Sequence, residues 1–396
     1  MNKNTTNYNA GILLPITLGL LSAFGPFITD FYLPALPEMT DYFNTSPSMV
    51  QMSLTTSVFG LAIGQLIIGP LSDKYGRKHL LLGSLLLFVI ATICCLFSTD
   101  IFSFNTCRIF QGLGGAGGIV LSKSISTDMF TGKDLAKFLA ILAAINGITP
   151  VAGPVIGGIL LSFTDWRGIF WLVLLIGIAL FFMSGTLKET LTKEHRMQGN
   201  IWHSYANLFK VLQNPTYTLA MLTQMCIFFA FFTFVSSSPF ILQDTGIYNL
   251  SPFYYSLCFA VCTLAIPVGA WLFPRFSNPK YSLYTAAGLM LFCAIDLGIA
   301  LTFHASVIIV VTLFTLLMIG FGMLQTQTTT IGMDAERMNA GSASAIMGAA
   351  SFVMGGIVSP LVSIGNIIHT TPMLLTFATL TICILAWKLS KRVSVG

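Results

Sequence analysis

An all-α polytopic membrane protein, with twelve transmembrane helices in two six-helix halves, is the fold class the sequence predicts. Three observations carry that expectation. Only 8% of the 396 residues are charged and 55% are hydrophobic, with a mean hydropathy of +0.83. A soluble globular chain carries about 25% charged residues, so this chain has too few to coat a water-facing surface. The apolar residues form twelve continuous runs, each near the roughly 20 residues a membrane helix needs. They lack the alternating ten-residue pattern of a lipid-spanning barrel. The basic residues fall in the short gaps between runs, in a pattern that alternates along the chain. A soluble enzyme, a disordered chain and a nucleic-acid binder are thereby excluded. The net charge of +5 is a topology signal, since no basic soluble face is present to bind nucleic acid.

Span one covers residues 11–33. It ends Asp30-Phe31-Tyr32-Leu33-Pro34, without the small-residue site that would mark a cleaved signal peptide, and reads as a retained helix. Spans two to six are expected at 48–71, 79–98, 101–123, 137–162 and 167–187. Spans seven to twelve are expected at 215–239, 252–274, 281–303, 305–330, 339–364 and 370–389. Seventeen of the 19 Lys and Arg residues fall on one side of this arrangement, Arg167 on the other, and Arg108 inside span four. Basic loops stay cytoplasmic, so both termini are expected in the cytoplasm of a multi-pass bacterial inner-membrane protein.

The longest polar stretch, 188–214, divides residues 1–187 from 215–396, six spans on each side. That plan suggests a duplication. Its sequence echo is weak: Gly269 to Arg275 falls where the second half would mirror Gly69 to Tyr75. All eight cysteines lie in apolar runs and read as small buried hydrophobes rather than a disulfide framework or metal site.

The gap after span two reads Gly69-Pro70-Leu71-Ser72-Asp73-Lys74-Tyr75-Gly76-Arg77-Lys78. Gly76 is free to take a positive φ and reverse the chain in a few residues. Asp73 ends a helix where the dipole disfavours an acid, so it needs a partner such as Arg77 or a helix N-terminus. Read alone, the loop also fits an ordinary tight basic turn. This loop matches, at each fixed position, the Gly-x-Leu-x-Asp-basic-x-Gly-Arg-Lys signature of the major facilitator superfamily, which the chain resembles. Arg108-Ile109-Phe110-Gln111-Gly112 in span four resembles the family's second motif. Gly153-Pro154-Val155-Ile156-Gly157-Gly158 in span five resembles the core of its antiporter motif. The end of span one, Asp30 to Pro37, is similar to the bicyclomycin-resistance branch of the twelve-span drug:proton antiporters. Ala140 and Thr149 stand where the full antiporter motif has glycine, and Ser22 where some drug antiporters have an acid.

The resemblance implies two halves that rock around a central site. It implies export of small, partly hydrophobic compounds in exchange for protons, by a monomer whose partners are the substrate and the bilayer. It also implies that Asp128 joins the charge cluster of the first motif; a helix-end acid neutralised by Lys123 is the plainer alternative. The sequence has no phosphate-binding loop, so no cofactor is expected and energy comes from a proton gradient. No nucleophile–base or metal cluster points to an enzyme. The same fold also admits a metabolite exporter or a solute:proton symporter. A membrane receptor or scaffold is the reading from another class.

The intramembrane charges carry the remaining expectations. An arginine in the bilayer interior costs at least about 2.5–3.5 kcal/mol, so Arg108 faces protein or water unless it snorkels outward. Arg108, Gln111, Gly112 and Gly115 share a helix face that suits a cavity wall. Asp30 lies at a similar depth and reads as a proton-coupling acid tuned by Arg108, or as a solvated interfacial acid. Asp296 in span nine is a further intramembrane acid. The glycines and prolines of span five predict a bend and close helix packing. The phenylalanines of span seven, Phe228 to Phe234, suit either lipid-facing packing or an adaptable pocket.

Overall fold

The computed structural model describes residues 13–130, 132–192, 196, 210–243, 246–276, 278–336, 340–362 and 364–392. Most of the central loop, with Lys3, Lys193 and Arg337, lies outside the described residues. Among the described residues, nine helices are long and apolar enough to cross a membrane, and a bent pair supplies a tenth span. Two further helices, Ile101–Met129 and Gly132–Leu160, each run 29 residues and complete twelve. Span four falls short on apolarity because it carries Asn105, Arg108 and Gln111 together with five glycines. These residues face protein, so lipid never selects against them.

Span one departs from a single helix. It runs as Leu13–Ser22 and Phe24–Thr29, bent by 53° about Ala23, and continues through short helices to Tyr42. The cause is local: Pro26 has no N–H, and its ring opposes the carbonyl of Ser22 four residues earlier. Other helices outrun their apolar runs. Span two is Pro47–Tyr75 and span ten Val307–Ala335, whereas span three, Arg77–Leu96, is no longer than its run of 79–98 and lies two residues earlier. Hydropathy registers the hydrocarbon core, whereas the polar last turns continue the backbone ladder beyond it.

The end of the bundle that carries the Gly76 turn is termed the basic end. Span two packs along span eleven (Ala340–Val362), and span five packs on span eight (Pro252–Leu272). At the end opposite the basic one, Gln51 Nε2 donates to Ser236 O at 3.1 Å and Ser48 Oγ to Pro360 O at 3.5 Å. A Cβ on Gly158 would lie 2.8 Å from Pro252 O, so bare backbone is what lets spans five and eight close there.

One crossing occurs twice. A Cβ at Gly60 of span two would lie 2.1 Å from Ile109 O of span four, and one at Gly112 would lie 2.0 Å from Ser57 O. In spans eight and ten, Gly269 meets Ile319 O at 2.1 Å and Gly322 meets Ile266 O at 2.0 Å. Gly269 therefore mirrors Gly60, not Gly69, and the echo expected from the sequence is in the wrong register. Structural equivalence follows the close backbone approach, which a short string of similar letters does not reveal.

Candidate functional site

Span four brings Arg108 into the first six-helix group, where its side chain is 1% exposed. Nη2 donates to Ile28 O at 2.7 Å and Ser57 Oγ at 3.0 Å, Nε reaches Ser53 O at 3.4 Å, and Nη1 donates to Gln111 Oε1. The guanidinium lies over the Tyr32 ring, 4.4 Å from its centroid, with Phe170 at 5.6 Å. Gln111 passes the network on, donating to Thr92 Oγ1 at 2.8 Å. A buried cation is tolerable when its donors are met and its charge is spread over ring faces. The face expected to form a cavity wall is packed in this conformation. Gly112 is against span two, and Gly115 against Phe24 and Ile28 of span one.

Asp30 does not pair with Arg108. The guanidinium takes the backbone oxygen two residues earlier, and the Asp30 carboxylate accepts from Thr29 Oγ1 at 2.7 Å while only 7% exposed. What the structure brings to Asp30 is span five. A Cβ on Gly153 would lie 3.5 Å from the Asp30 Cβ and 2.7 Å from the Phe31 ring, and one on Gly157 would lie 2.0 Å from Phe31 O. Pro154 is buried between them. The glycines of this motif therefore permit the close seat of span five against Asp30 and Phe31. Ser22, at the position of the missing acid, accepts from Asn146 Nδ2 of span five at 2.8 Å.

The basic end holds a second cluster. Arg77 Nη1 pairs with Asp73 Oδ1 at 2.5 Å, and Nε with Asp128 Oδ2 at 3.1 Å. Asp128 thus meets Arg77 rather than Lys123. Gly76 has φ 101°, a conformation that favours glycine, and a Cβ there would first meet the mobile ends of the Glu189 and Arg196 side chains. A Cβ on Gly69 would meet only Val120 at an ordinary 3.7 Å. Lys78 Nζ donates to Gly185 O at 2.7 Å.

Sequence reasoning missed Glu189 and Thr190. Glu189 Oε1 accepts from Arg77 N at 2.9 Å and Oε2 from Lys78 N at 3.2 Å, capping span three from 111 or more residues away. Thr190 Oγ1 donates to Asp128 at 3.0 Å. Burial opposes ionisation of Glu189, but the N–H groups of Leu191, Arg77 and Lys78 and the charge of Arg196 outweigh it and hold its carboxyl below the ordinary range. Span three has no side-chain cap of its own, and that vacancy was the available signal.

In the second six-helix group, Phe231 stacks on Phe321 at 4.8 Å, Phe228 meets Phe321 at 5.5 Å, and Phe232 approaches Phe352 at 6.4 Å. The span-seven phenylalanines are thus joined to spans ten and eleven. Asp296 is half-buried in span nine, on neither cluster.

The sequence profile of the Major Facilitator Superfamily matches residues 18–360. The chain belongs to that superfamily. This major facilitator protein is accordingly a multi-pass secondary transporter and not an enzyme. It is 36% identical over 382 residues to the uncharacterized MFS-type transporter YdgK of Bacillus subtilis, covering 95% of this chain and 94% of that one. It is 28% identical over 393 residues to the bicyclomycin resistance protein homolog of Haemophilus influenzae, covering 94% of each. Its fold matches the xylose transporter XylE of E. coli in a partially occluded inward-open conformation, with a TM-score of 0.74 at 14% identity over 95% of this chain and 97% of that one.

Proposed function

We propose that this transporter exports small, partly hydrophobic compounds, drugs or toxic metabolites, in exchange for protons by alternating access. Residues 1–187 and 215–396 act as the rocking halves of a monomer in the bacterial inner membrane, joined by the 188–214 loop, with both termini cytoplasmic. The observation that carries the reading is Asp30. It is a buried carboxyl with no ion-pair partner among the described residues, set where span one meets the antiporter-motif glycines. An acid so placed changes its proton affinity when the site gains or loses water, which is what coupling requires. The Haemophilus relative, named for bicyclomycin resistance, supports a drug as cargo.

In this reading Arg108 and Gln111 fix the end of span one through Ile28 and leave Asp30 free to titrate. Asp73, Arg77 and Asp128 hold the basic end when it closes, with Gly69, Gly76 and Lys78 shaping the turn. The test is proton release from purified protein when substrate is added. Parent protein should release protons and Asp30→Asn should not, since an amide cannot titrate. Equal release from the variant moves the role to another acid, Asp296 first. Orientation has its own test: a reporter fused after Asn200 should be cytoplasmic and one after Asp244 periplasmic. Finding both on one side would remove the twelve-span topology.

A further inference from the structure

Span two turns one face to the second half. At the end opposite the basic one, Ser48 Oγ donates to Pro360 O and Gln51 Nε2 to Ser236 O. One turn further on, a Cβ at Gly356 of span eleven would lie 3.8 Å from Thr55 Cγ2, and further still one at Gly348 would lie 3.7 Å from Gln65 Oε1. Gln51, Thr55 and Gln65 share this face, because their spacing is close to whole helical turns. Each carries a buried polar atom with no hydrogen-bond partner among the described residues: Gln51 Oε1, Thr55 Oγ1 and Gln65 Nε2. Across the seam, the second half meets its own hydroxyls. Ser236 Oγ donates to Ser359 Oγ at 2.8 Å, and Ser359 Oγ to Gly355 O at 2.9 Å.

We propose that Gln51, Thr55 and Gln65 are positioning residues that bias span two to part from the second half, so that closure at the end opposite the basic one carries a cost which opening relieves. Nearly all buried polar groups in native structures are paired, and one left unmet forfeits its hydration. When the halves part at this end, water reaches these atoms and the cost disappears. Gln51 acts in both directions. Its amide nitrogen ties the seam to Ser236 O at 3.1 Å, while its oxygen goes unmet. Thr55 brings the cost without the tie. A transporter must open each end in turn, and a seam made only of satisfied and apolar contacts would rest shut at this one. The proposal rests on the alternating-access part of the reading above, and on neither its cargo nor its proton.

The experiment is hydrogen exchange of segments 47–60 and 352–362, the two sides of the seam, at a single pH. It uses purified full-length protein without substrate. Thr55→Val keeps the shape of the side chain and removes the hydroxyl. Exchange of both segments should slow about tenfold, because removing an unmet buried group lowers the open population. Gln51→Met removes the tie and the unmet oxygen together, and Ser236 O stays within the backbone ladder of span seven. Exchange should slow there by less, about threefold, and this variant decides the matter if the threonine variant folds poorly. Segments 84–92 and 111–118 pack against each other inside the first half, through Gly114 against Phe88 and Gln111 against Thr92. Their exchange should not change, which separates the seam from a general stiffening. Faster or unchanged exchange at the seam in the deciding variant overturns the proposal, and so does equal slowing in the control segments. No substrate or proton gradient enters the measurement, so its outcome is separate from the proton-release test of export.

Discussion

Spans two and four cross through Gly60 and Gly112 as spans eight and ten cross through Gly269 and Gly322, with each glycine three residues from the carbonyl its opposite number meets. Aligned on those glycines, Arg108 falls on Met318, Gln111 on Phe321 and Ser53 on Cys262. The first half surrounds its crossing with a buried cation and its acceptors. The second fills the same places with side chains 0%, 3% and 2% exposed, none of them charged. The basic ends differ as well. Span two continues to Tyr75, well beyond Gly60, and presents the Asp73–Arg77–Asp128 cluster; span eight stops at Leu272, shortly after Gly269. Two backbones can therefore share a crossing while their chemistry diverges, because glycine fixes the approach of the helices and leaves neighbouring positions free.

The largest expected effect tests the shared part. Gly112→Val and Gly322→Val each drive side-chain atoms into a carbonyl of the facing helix. Overpacking of this kind costs about 1–3 kcal/mol and sometimes more, so both should lose most of their folded yield, read by size-exclusion and Tm in detergent. Tolerance in one half alone would break the comparison at its base.

Exchanging the divergent part should have a smaller effect on folding and a large one on transport. Arg108→Met installs the residue of the other half and takes the donor from Gln111 Oε1 and Ile28 O, a loss of about 1–3 kcal/mol, while Ser57 Oγ keeps Leu54 O and Ser53 O keeps Thr56 Oγ1. Transport into proteoliposomes should fall by about 100-fold, an equivalent of roughly 2.7 kcal/mol. Met318→Leu, a swap of similar volume, should cost under about 1.5 kcal/mol and leave transport near the parent value. Equal losses from the two would mean that Arg108 serves packing alone.

The basic end gives the subtlest contrast. Asp73→Asn should lower transport several-fold while membrane insertion is kept, and unchanged transport would reduce the cluster to a turn. Glu189→Gln should lower the Tm slightly at neutral pH by weakening the cap of span three. The carboxyl of Glu189 is held below its ordinary range, so its stabilisation is present above the unfolded value of about 4.3 and is lost as pH falls through the lower folded value. The Tm difference between parent and variant should therefore close on strong acidification. A constant gap across pH would assign the effect to shape rather than charge.

The sequence made the turn at Gly76 and the pairing of Asp73 with Arg77 legible, because both lie within one helical turn of a recognisable pattern. It placed Asp30 and Arg108 at similar depth but paired them with each other, since depth can be counted along a helix whereas facing cannot. The bend in span one was hidden inside a continuous apolar run, although Pro26 marks its place. Glu189 was hidden because an acid in a polar stretch carries no sign of the helix it will cap.

By itself the sequence determined the membrane class, the approximate twelve spans and the chemistry available at each depth. Hydropathy and helical period are local properties that survive whatever the helices pack against. Tertiary structure alone decided that Arg108 would take Ile28 O across 80 residues, that Asp30 would face span five instead, and that the glycine crossing would recur in a register the letters conceal. Those choices depend on close approach between distant segments, where a few tenths of an ångström at a carbonyl decide which backbones can touch.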